Sequence, residues 1–249
     1  MMSGAIDVYG PADAPPVVLL HGATMNRTMW AAYESRRYRA IVPDLPGHGS
    51  LIDDRFRLED GVTLASRVID EHAGGRAIVG GSSLGGYVGI TLADRAPDKV
   101  AGLVLSGATA SYLGWGGFET RMFGRMMRLI GGRVQFKNEE ALRKKLPESA
   151  EAIIDAGISM RAGADALLDL PGNDFHAMLG RYRGPVLVLN GERDKVNRKE
   201  EEAALARMVD GRAEMIEDAG HACVLTRPEA VRWALERFVV EVSGTTTAG

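Results

Sequence analysis

Ser83 lies in a sequence pattern that suits a nucleophile. An apolar run over 77–79 meets glycines and serines, and a segment with helical apolar periodicity follows over 84–96, which predicts a strand, a sharp turn and a helix. Gly81, Ser83 and Gly85 fit the pattern G-x-S-x-G. A serine on so tight a turn is forced to positive φ, and glycines on either side remove Cβ atoms that would collide. The helix N-terminus then favours negative charge near Ser83.

A glycine- and serine-rich turn before a helix could instead hold a phosphate. The P-loop pattern needs Lys followed by Ser or Thr after its second glycine, whereas Gly85 is followed by Gly86 and Tyr87. The dinucleotide pattern G-x-G-x-x-G is not met over 80–86 either. Because G-x-S-x-G alone is short enough to arise by chance, the partners of Ser83 must decide.

A serine hydroxyl needs a base within hydrogen-bond reach and a third group that orients the base. Of the five histidines, His221 is the best candidate, because it lies in a predicted loop after the last strand. His72 falls within a predicted helix, and His48 lies between two glycines in a turn. His176 falls in the segment 111–183, where it is a possible substrate contact.

The orienting carboxylate is expected on another loop that follows a strand. Asp194 comes shortly after the predicted strand over 186–189, and Glu192 is the alternative. Residues 192–195 are all charged, which alone is typical of a solvated turn. The chain order of serine, acid and histidine, each just past a predicted strand, favours catalysis, because ligands bind at the carboxyl ends of strands in open α/β sheets.

Short apolar segments alternate with helical ones through most of the chain, which predicts an α/β fold with a mostly parallel, doubly wound sheet. The predicted strands cover 6–9, 17–20, 40–43, 76–79, 100–105, 185–190 and 213–216. In the helix before the last strand, Asn197 and Glu200 occupy the positions of a capping box.

Residues 111–183 interrupt this alternation, because they contain no convincing strand and are helical in pattern. We expect them to form a helical lid inserted between two strands, with 1–110 and 184–249 forming the core. The methionines of this segment are either ordinary core residues or the lining of an adaptable apolar pocket. Met122 and Met126 are the candidates for substrate contact.

The composition excludes several classes of protein. The chain has 249 residues, 45% of them hydrophobic, which suits one large α/β domain or a core with an insertion. Its net charge of −3 disfavours nucleic acid as a partner, and its single cysteine, Cys223, allows no intrachain disulfide. No secretory leader or membrane-spanning run is visible, so we expect a cytoplasmic monomer or homodimer with no membrane partner. No metal-binding motif is present, so no metal and no cofactor is expected.

Several motifs together resemble those of the α/β-hydrolase fold superfamily, over nearly the whole chain except the insertion. They are His21-Gly22 as the oxyanion loop, 44–50 as the loop D-x-x-G-x-G-x-S with Ser50 one residue early, 81–86 as the nucleophile elbow, 191–194 as the acid motif G-x-x-D, and Gly220-His221 as the histidine motif. The resemblance implies Ser83 as nucleophile, His221 as base and Asp194 as acid. It places the oxyanion hole at the backbone N–H groups of Ala23 and Leu84. With the histidine of the oxyanion loop included, the possible substrate contacts are His21, Met122, Met126 and His176.

A serine nucleophile implies acyl chemistry, whereas dehalogenases and epoxide hydrolases of this fold carry aspartate at the elbow. We expect a serine hydrolase that cleaves a carboxylic ester through an acyl-enzyme, on a small to medium, largely apolar molecule. One alternative is a lactone or carbon–carbon bond hydrolase acting on a ring-cleavage product. Its carboxylate substrate could be held by residues of the lid, namely Arg121, Arg125, Arg128, Arg161 and His176. An alternative of another class is a ligand-sensing protein with a slow, vestigial triad.

Overall fold

The computed structural model describes residues 5–246, except the side chains of residues 132, 134, 245 and 246. Seven strands form one sheet in the order β1-β3-β2-β4-β5-β6-β7. Their bounds are β1 Ile6–Tyr9, β2 Pro16–Leu20, β3 Arg39–Pro43, β4 Ala77–Ser82, β5 Val100–Ser106, β6 Pro185–Gly191 and β7 Asp210–Ile216. The edge strand β1 is antiparallel to β3, and the other neighbouring pairs are parallel. The predicted α/β fold with a mostly parallel sheet is confirmed.

Nine α-helices are seen between residues 5 and 246. They are α1 Leu58–His72, α2 Leu84–Arg95, α3 Gly114–Lys145, α4 Ala150–Asp155, α5 Met160–Asp169, α6 Phe175–Arg181, α7 Lys195–Leu205, α8 Cys223–Thr226 and α9 Pro228–Thr246. Short 3-10 helices cover Arg27–Tyr33, Gly49–Leu51 and Pro97–Lys99.

The sheet is buried on both faces, which is why its strands are continuous apolar runs rather than alternating ones. Along β2, Val18 and Leu20 belong to one hydrophobic cluster, and Val17 and Leu19 belong to the other. The first cluster is completed by α1, α2 and α6, and the second by α9 and the 3-10 helix Arg27–Tyr33. The sheet therefore forms a rigid middle layer whose strand ends carry the loops of interest.

Helices α3 to α6 form a helical insertion between β5 and β6. The first of them is one continuous helix of 32 residues. Its glycines at 124 and 131 face α5: a Cβ at Gly124 would lie 3.0 Å from the Leu167 Cβ, and one at Gly131 would lie 3.3 Å from the Met160 Cβ. In turn α5 lies against the core, since Gly163 lies beside Thr24 and Ala162 beside Gly47. The insertion thus reaches the loops that follow β2 and β3.

Candidate active site

Ser83 forms the turn between β4 and α2, with φ 48° and ψ −111°. The backbones at Gly81 and Gly85 approach so closely that a Cβ at Gly81 would overlap Gly85. Ser83 is partly exposed between buried neighbours, and its N–H donates to the carbonyl of Ser106 at 2.7 Å. The strained turn therefore presents the hydroxyl-bearing side chain at the end of β4, beside the end of β5.

His221 lies in the loop after β7, and its side chain is half exposed. Its Nδ1 lies 2.8 Å from Oδ2 of Asp194. The ring also packs on Gly107: a Cβ there would lie only 2.8 Å from Cε1 and 3.0 Å from Nδ1 of His221. Because Gly107 directly follows Ser106, which binds the Ser83 backbone, the end of β5 brings the serine turn and the imidazole together. With Nδ1 engaged by Asp194, Nε2 is the nitrogen left to accept a proton.

Asp194 precedes α7 and is buried. Its Oδ1 accepts the N–H of Asn197 at 3.2 Å, and its Oδ2 accepts from His221 and from Nδ2 of Asn197 at 2.9 Å. Burial alone raises the pKa of this carboxyl, but the hydrogen bonds from His221 and Asn197 outweigh it and hold the pKa below its usual value. Asp194 is therefore ionised at neutral pH. The alternative acid, Glu192, is exposed and instead accepts the N–H of Asp218 at 3.0 Å.

Asn197 is a site residue that the sequence pattern misplaced. The capping-box pattern put Asn197 at the start of the helix, but α7 begins at Lys195 and Asp194 is its N-cap. Asn197 is the third residue of the helix, and its buried side chain contacts Asp194. The pattern could have found this, because Asp194 and Asn197 are also spaced as an N-cap and its third helical residue.

Two backbone N–H groups, those of Ala23 and Leu84, lie shortly after the ends of β2 and β4 and are the candidates for an oxyanion hole. Leu84 is the first residue of α2, so its N–H has no partner within the helix. Within residues 5–246, neither this group nor the N–H of Ala23 donates a hydrogen bond. Gly22, next to Ala23, is close to the nucleophile turn, because a Cβ there would lie 3.8 Å from the Ser83 Cβ.

His21 supports this loop from beneath. The ring is fully buried, with Nδ1 2.9 Å from the carbonyl of Gly22, and its Nε2 accepts the N–H of Leu45 at 2.8 Å. Burial lowers the pKa of His21 to about 4, so the ring is neutral. The prediction that His21 contacts the substrate is corrected, because both ring nitrogens are engaged within the protein.

The loop that follows β3 is held by a buried carboxylate. Asp44 accepts hydrogen bonds from the backbone and side chains of both Arg27 and Ser50, at 2.8 to 2.9 Å. His48 lies in this loop and is fully buried, and its Nδ1 is 2.9 Å from the carbonyl of Pro46. Burial lowers the pKa of His48 to about 3. The loop is therefore a support for the oxyanion loop rather than a source of a base.

The other predicted substrate contacts lie on two different helices of the insertion, α3 and α6. Met122 and Met126 are 46% and 48% exposed, on the side of α3 that faces away from α5, and their contact with a substrate stays a prediction. Met127, which is buried, is the methionine that points inward beside Gly163. His176 is half buried, with Nε2 2.9 Å from the carbonyl of Thr109.

The arginines proposed to hold a carboxylate substrate are dispersed. Arg121 donates to the carbonyl of Pro171, and Arg128 pairs with Asp165 at 3.6 Å. Arg125 and Arg161 are exposed. No anion-binding cluster of these residues forms beside Ser83.

Residues 5–246 contain neither a metal-binding cluster of side chains nor a membrane-spanning helix. No group of three or more His, Cys, Asp and Glu side chains is placed to hold a metal ion. No helix in this part of the chain is both long and apolar enough to cross a membrane.

Comparison with known proteins places the chain among hydrolases. A pimeloyl-[acyl-carrier protein] methyl ester esterase of Nitrosomonas europaea is 28% identical over 90% of this chain and 96% of its own. The enzyme of the same name from Methylococcus capsulatus is 30% identical over 90% and 94% of the two chains. An esterase structure from Thermogutta terrifontis matches with a TM-score of 0.78 and 28% identity, covering 96% of this chain and 93% of that one.

These relatives confirm the prediction of a hydrolase that acts on ester bonds. The model of the alpha/beta hydrolase family matches residues 17–233, which is most of the chain. The chain therefore belongs to the alpha/beta hydrolase family.

Proposed function

We propose that the protein is a serine carboxylesterase in which Ser83, His221 and Asp194 form a catalytic triad. One observation carries this proposal: the imidazole of His221 is fixed between Asp194 and the end of β5, the same strand end that binds the Ser83 backbone. Nδ1 of His221 is engaged by the carboxylate of Asp194. Nε2 of the same ring therefore removes the proton from the Ser83 hydroxyl while the Ser83 oxygen attacks an ester carbonyl.

The reaction then follows from the surrounding donors. The negative charge that develops on the carbonyl oxygen is stabilised by the N–H groups of Ala23 and Leu84, worth roughly 3–4 kcal/mol per donor in comparable sites. His221 returns its proton to the leaving alcohol, which gives an acyl-enzyme on Ser83. The same imidazole activates water for deacylation. Each of these steps uses only groups of the chain and water.

The helical insertion is proposed to act as a lid over this site, with 111–183 as the lid and 1–110 together with 184–249 as the core. The observation that supports it is the contact of α5 with the oxyanion loop, where Gly163 packs on Thr24. Met127 lies at the same place with its side chain buried. An apolar residue so close to the oxyanion loop favours a small to medium, largely apolar substrate.

The names of the relatives suggest which esters to test first. Two relatives that align along 90% of this chain are named for hydrolysis of a methyl ester on a pimeloyl group carried by acyl-carrier protein. Methyl esters of straight-chain acyl groups should therefore be tested together with simple carboxylic esters of other small alcohols.

The alternatives receive less support. Hydrolysis of a lactone or of a carbon–carbon bond in a carboxylate substrate needs an anion site, and the arginines proposed for it are exposed or engaged elsewhere. A ligand-sensing protein with a slow triad is distinguished by its rate, because it would bind ligand tightly while turning over on the scale of hours.

Ser83→Ala tests the central claim. The variant should lower kcat for p-nitrophenyl esters of two to eight carbons by about 10⁴-fold or more, with an unchanged circular dichroism spectrum. Ser66→Ala is the matched control, because Ser66 lies on α1 and accepts from Lys99. Equal activity of Ser83→Ala and Ser66→Ala would refute the triad.

A further inference from the structure

Asn197 joins the acid of the proposed triad to the chain segment that leads into the helical insertion. Its side-chain Oδ1 accepts the N–H groups of Thr109 at 2.9 Å and Ala110 at 3.1 Å. Its Nδ2 donates to Oδ2 of Asp194 at 2.9 Å and lies 3.3 Å from Nδ1 of His221. Asn197 is 2% exposed, so water does not compete for these contacts.

The orientation of this amide is fixed by its neighbours. Two backbone N–H groups can only donate, so the oxygen of Asn197 must face Thr109 and Ala110. The NH2 group must then face Asp194, which can only accept while ionised. A third contact closes the arrangement, because the Thr109 hydroxyl donates to the backbone carbonyl of Asn197 at 2.8 Å.

The groups around Asn197 form a connected polar network. Asn190, at the end of β6, accepts the N–H of Gly107 at 3.0 Å and donates to the Thr109 hydroxyl and to Glu201. The titratable and charged side chains that face the network are Asp194, His221, His176 at the Thr109 carbonyl, Tyr87 at the Ala110 carbonyl, Glu201 paired with Arg198, and the buried Cys223, which interacts electrostatically with Asp194. Asp194 is the carboxylate among them that binds His221 directly.

We propose that Asn197 is a positioning residue that sets both the orientation and the proton affinity of the Asp194–His221 pair. The proposal rests on the proposed triad. Oδ2 of Asp194 accepts hydrogen bonds from both Asn197 and His221. The Asn197 amide therefore partly neutralises the negative charge that attracts a protonated His221. Without that donor the carboxylate stabilises the protonated imidazole more strongly. His221 would then titrate at higher pH, and less of it would be available as a base at neutral pH.

Asn197→Ala is the most informative variant, because it removes the donor to Asp194 and adds no charge or new donor. An aspartate at this position would instead share a proton with Asp194 and so restore a donor. In Asn197→Ala we expect kcat to fall at least about tenfold, KM for p-nitrophenyl acetate to stay within about twofold, and the acid limb of the kcat profile to move up by about half a pH unit or more. Val196→Ala is the control, because it truncates an exposed, uncharged side chain of the same helix.

A second measurement does not depend on turnover. In the Ser83→Ala background, NMR can follow the pH at which the His221 imidazole titrates. Adding Asn197→Ala should raise that pH by about half a unit or more, and adding Val196→Ala should not.

An unmoved titration, or a fall in kcat that merely follows a fall in Tm with an unmoved pH profile, would overturn the proposal and leave Asn197 a structural residue. Failure of the proposed esterase function looks different, since wild type and Ser83→Ala would then be equally active. The NMR titration would still decide the role of Asn197.

Discussion

Gly107→Ala tests whether the end of β5 positions His221 against the serine turn. A methyl group at this position would lie 2.8 Å from Cε1 and 3.0 Å from Nδ1 of the ring, whereas ordinary contacts begin at 3.4 Å. The ring must therefore move by about half an ångström, or rotate away from Asp194. Gly107 also has φ +62°, a conformation that costs an alanine about 1–2 kcal/mol.

Two separate effects follow from these numbers. Since a misplacement of about 1 Å in a catalytic geometry can cost about 100-fold, the shifted imidazole should lower kcat by roughly 10- to 100-fold. The backbone strain should lower Tm by about 2–4 °C for each kcal/mol, as expected for a domain of this size. KM for a small ester should change little, because no contact with the substrate is removed.

The chain supplies a control that separates the two effects. Gly74 has a similar φ of +67°, but a Cβ there would meet nothing within 4 Å. Gly74 precedes the start of β4, whereas Ser83 follows the end of the same strand. Gly74→Ala should show the loss of Tm in thermal unfolding without the loss of kcat in an ester assay. If Gly107→Ala kept kcat within twofold of Gly74→Ala, the claim that Gly107 positions the imidazole would be refuted.

Two further predictions concern charge. Burial lowers the pKa of His21 to about 4 and of His48 to about 3, so between pH 6.5 and 4 the unfolded chain binds more protons than the folded one. The free energy of unfolding should therefore fall as the pH falls through this range, by about 3 kcal/mol for His21 alone. The variant His48→Asn keeps a donor for the Pro46 carbonyl but does not titrate in this range. It should therefore reduce the loss of Tm between pH 7 and pH 5, as measured by calorimetry. Asp194→Asn should lower kcat by about 10⁴-fold, as loss of the acid does in other triads, while Glu192→Gln should leave it within about twofold; similar losses in both variants would contradict the assignment of the acid.

The sequence was most informative about the parallel sheet. Unbroken apolar runs such as 17–20 and 186–189 are typical of strands buried on both faces, which predicts a parallel sheet covered by helices. The chemistry-bearing residues directly follow these runs, so their meeting at one sheet edge follows from topology. The predicted edge strand β1 and the alternation of strands with helices are also confirmed.

The insertion was less predictable, because its periodicity does not say which face of the helix is buried. Met126 and Met127 are adjacent in sequence, yet one is 48% exposed and the other 8%. The buried face of α3 is the one that carries the glycines at 124 and 131, because these glycines allow α5 to approach closely. A glycine in a helical pattern indicates a break as readily as a close contact, and only the packing partner distinguishes the two.

Asp194 shows why a local pattern can be ambiguous when one side chain does two things. It is the N-cap of α7 and also the partner of His221. Burial raises the pKa of Asp194, but the hydrogen bond from His221 and, to a smaller extent, the N–H and side-chain amide of Asn197 hold that pKa below its usual value. Each donor that stabilises this charge also reduces the attraction that Asp194 exerts on a protonated His221. In the proposed triad, the strength of His221 as a base therefore depends on how α7 begins, and not on the contact between histidine and aspartate alone.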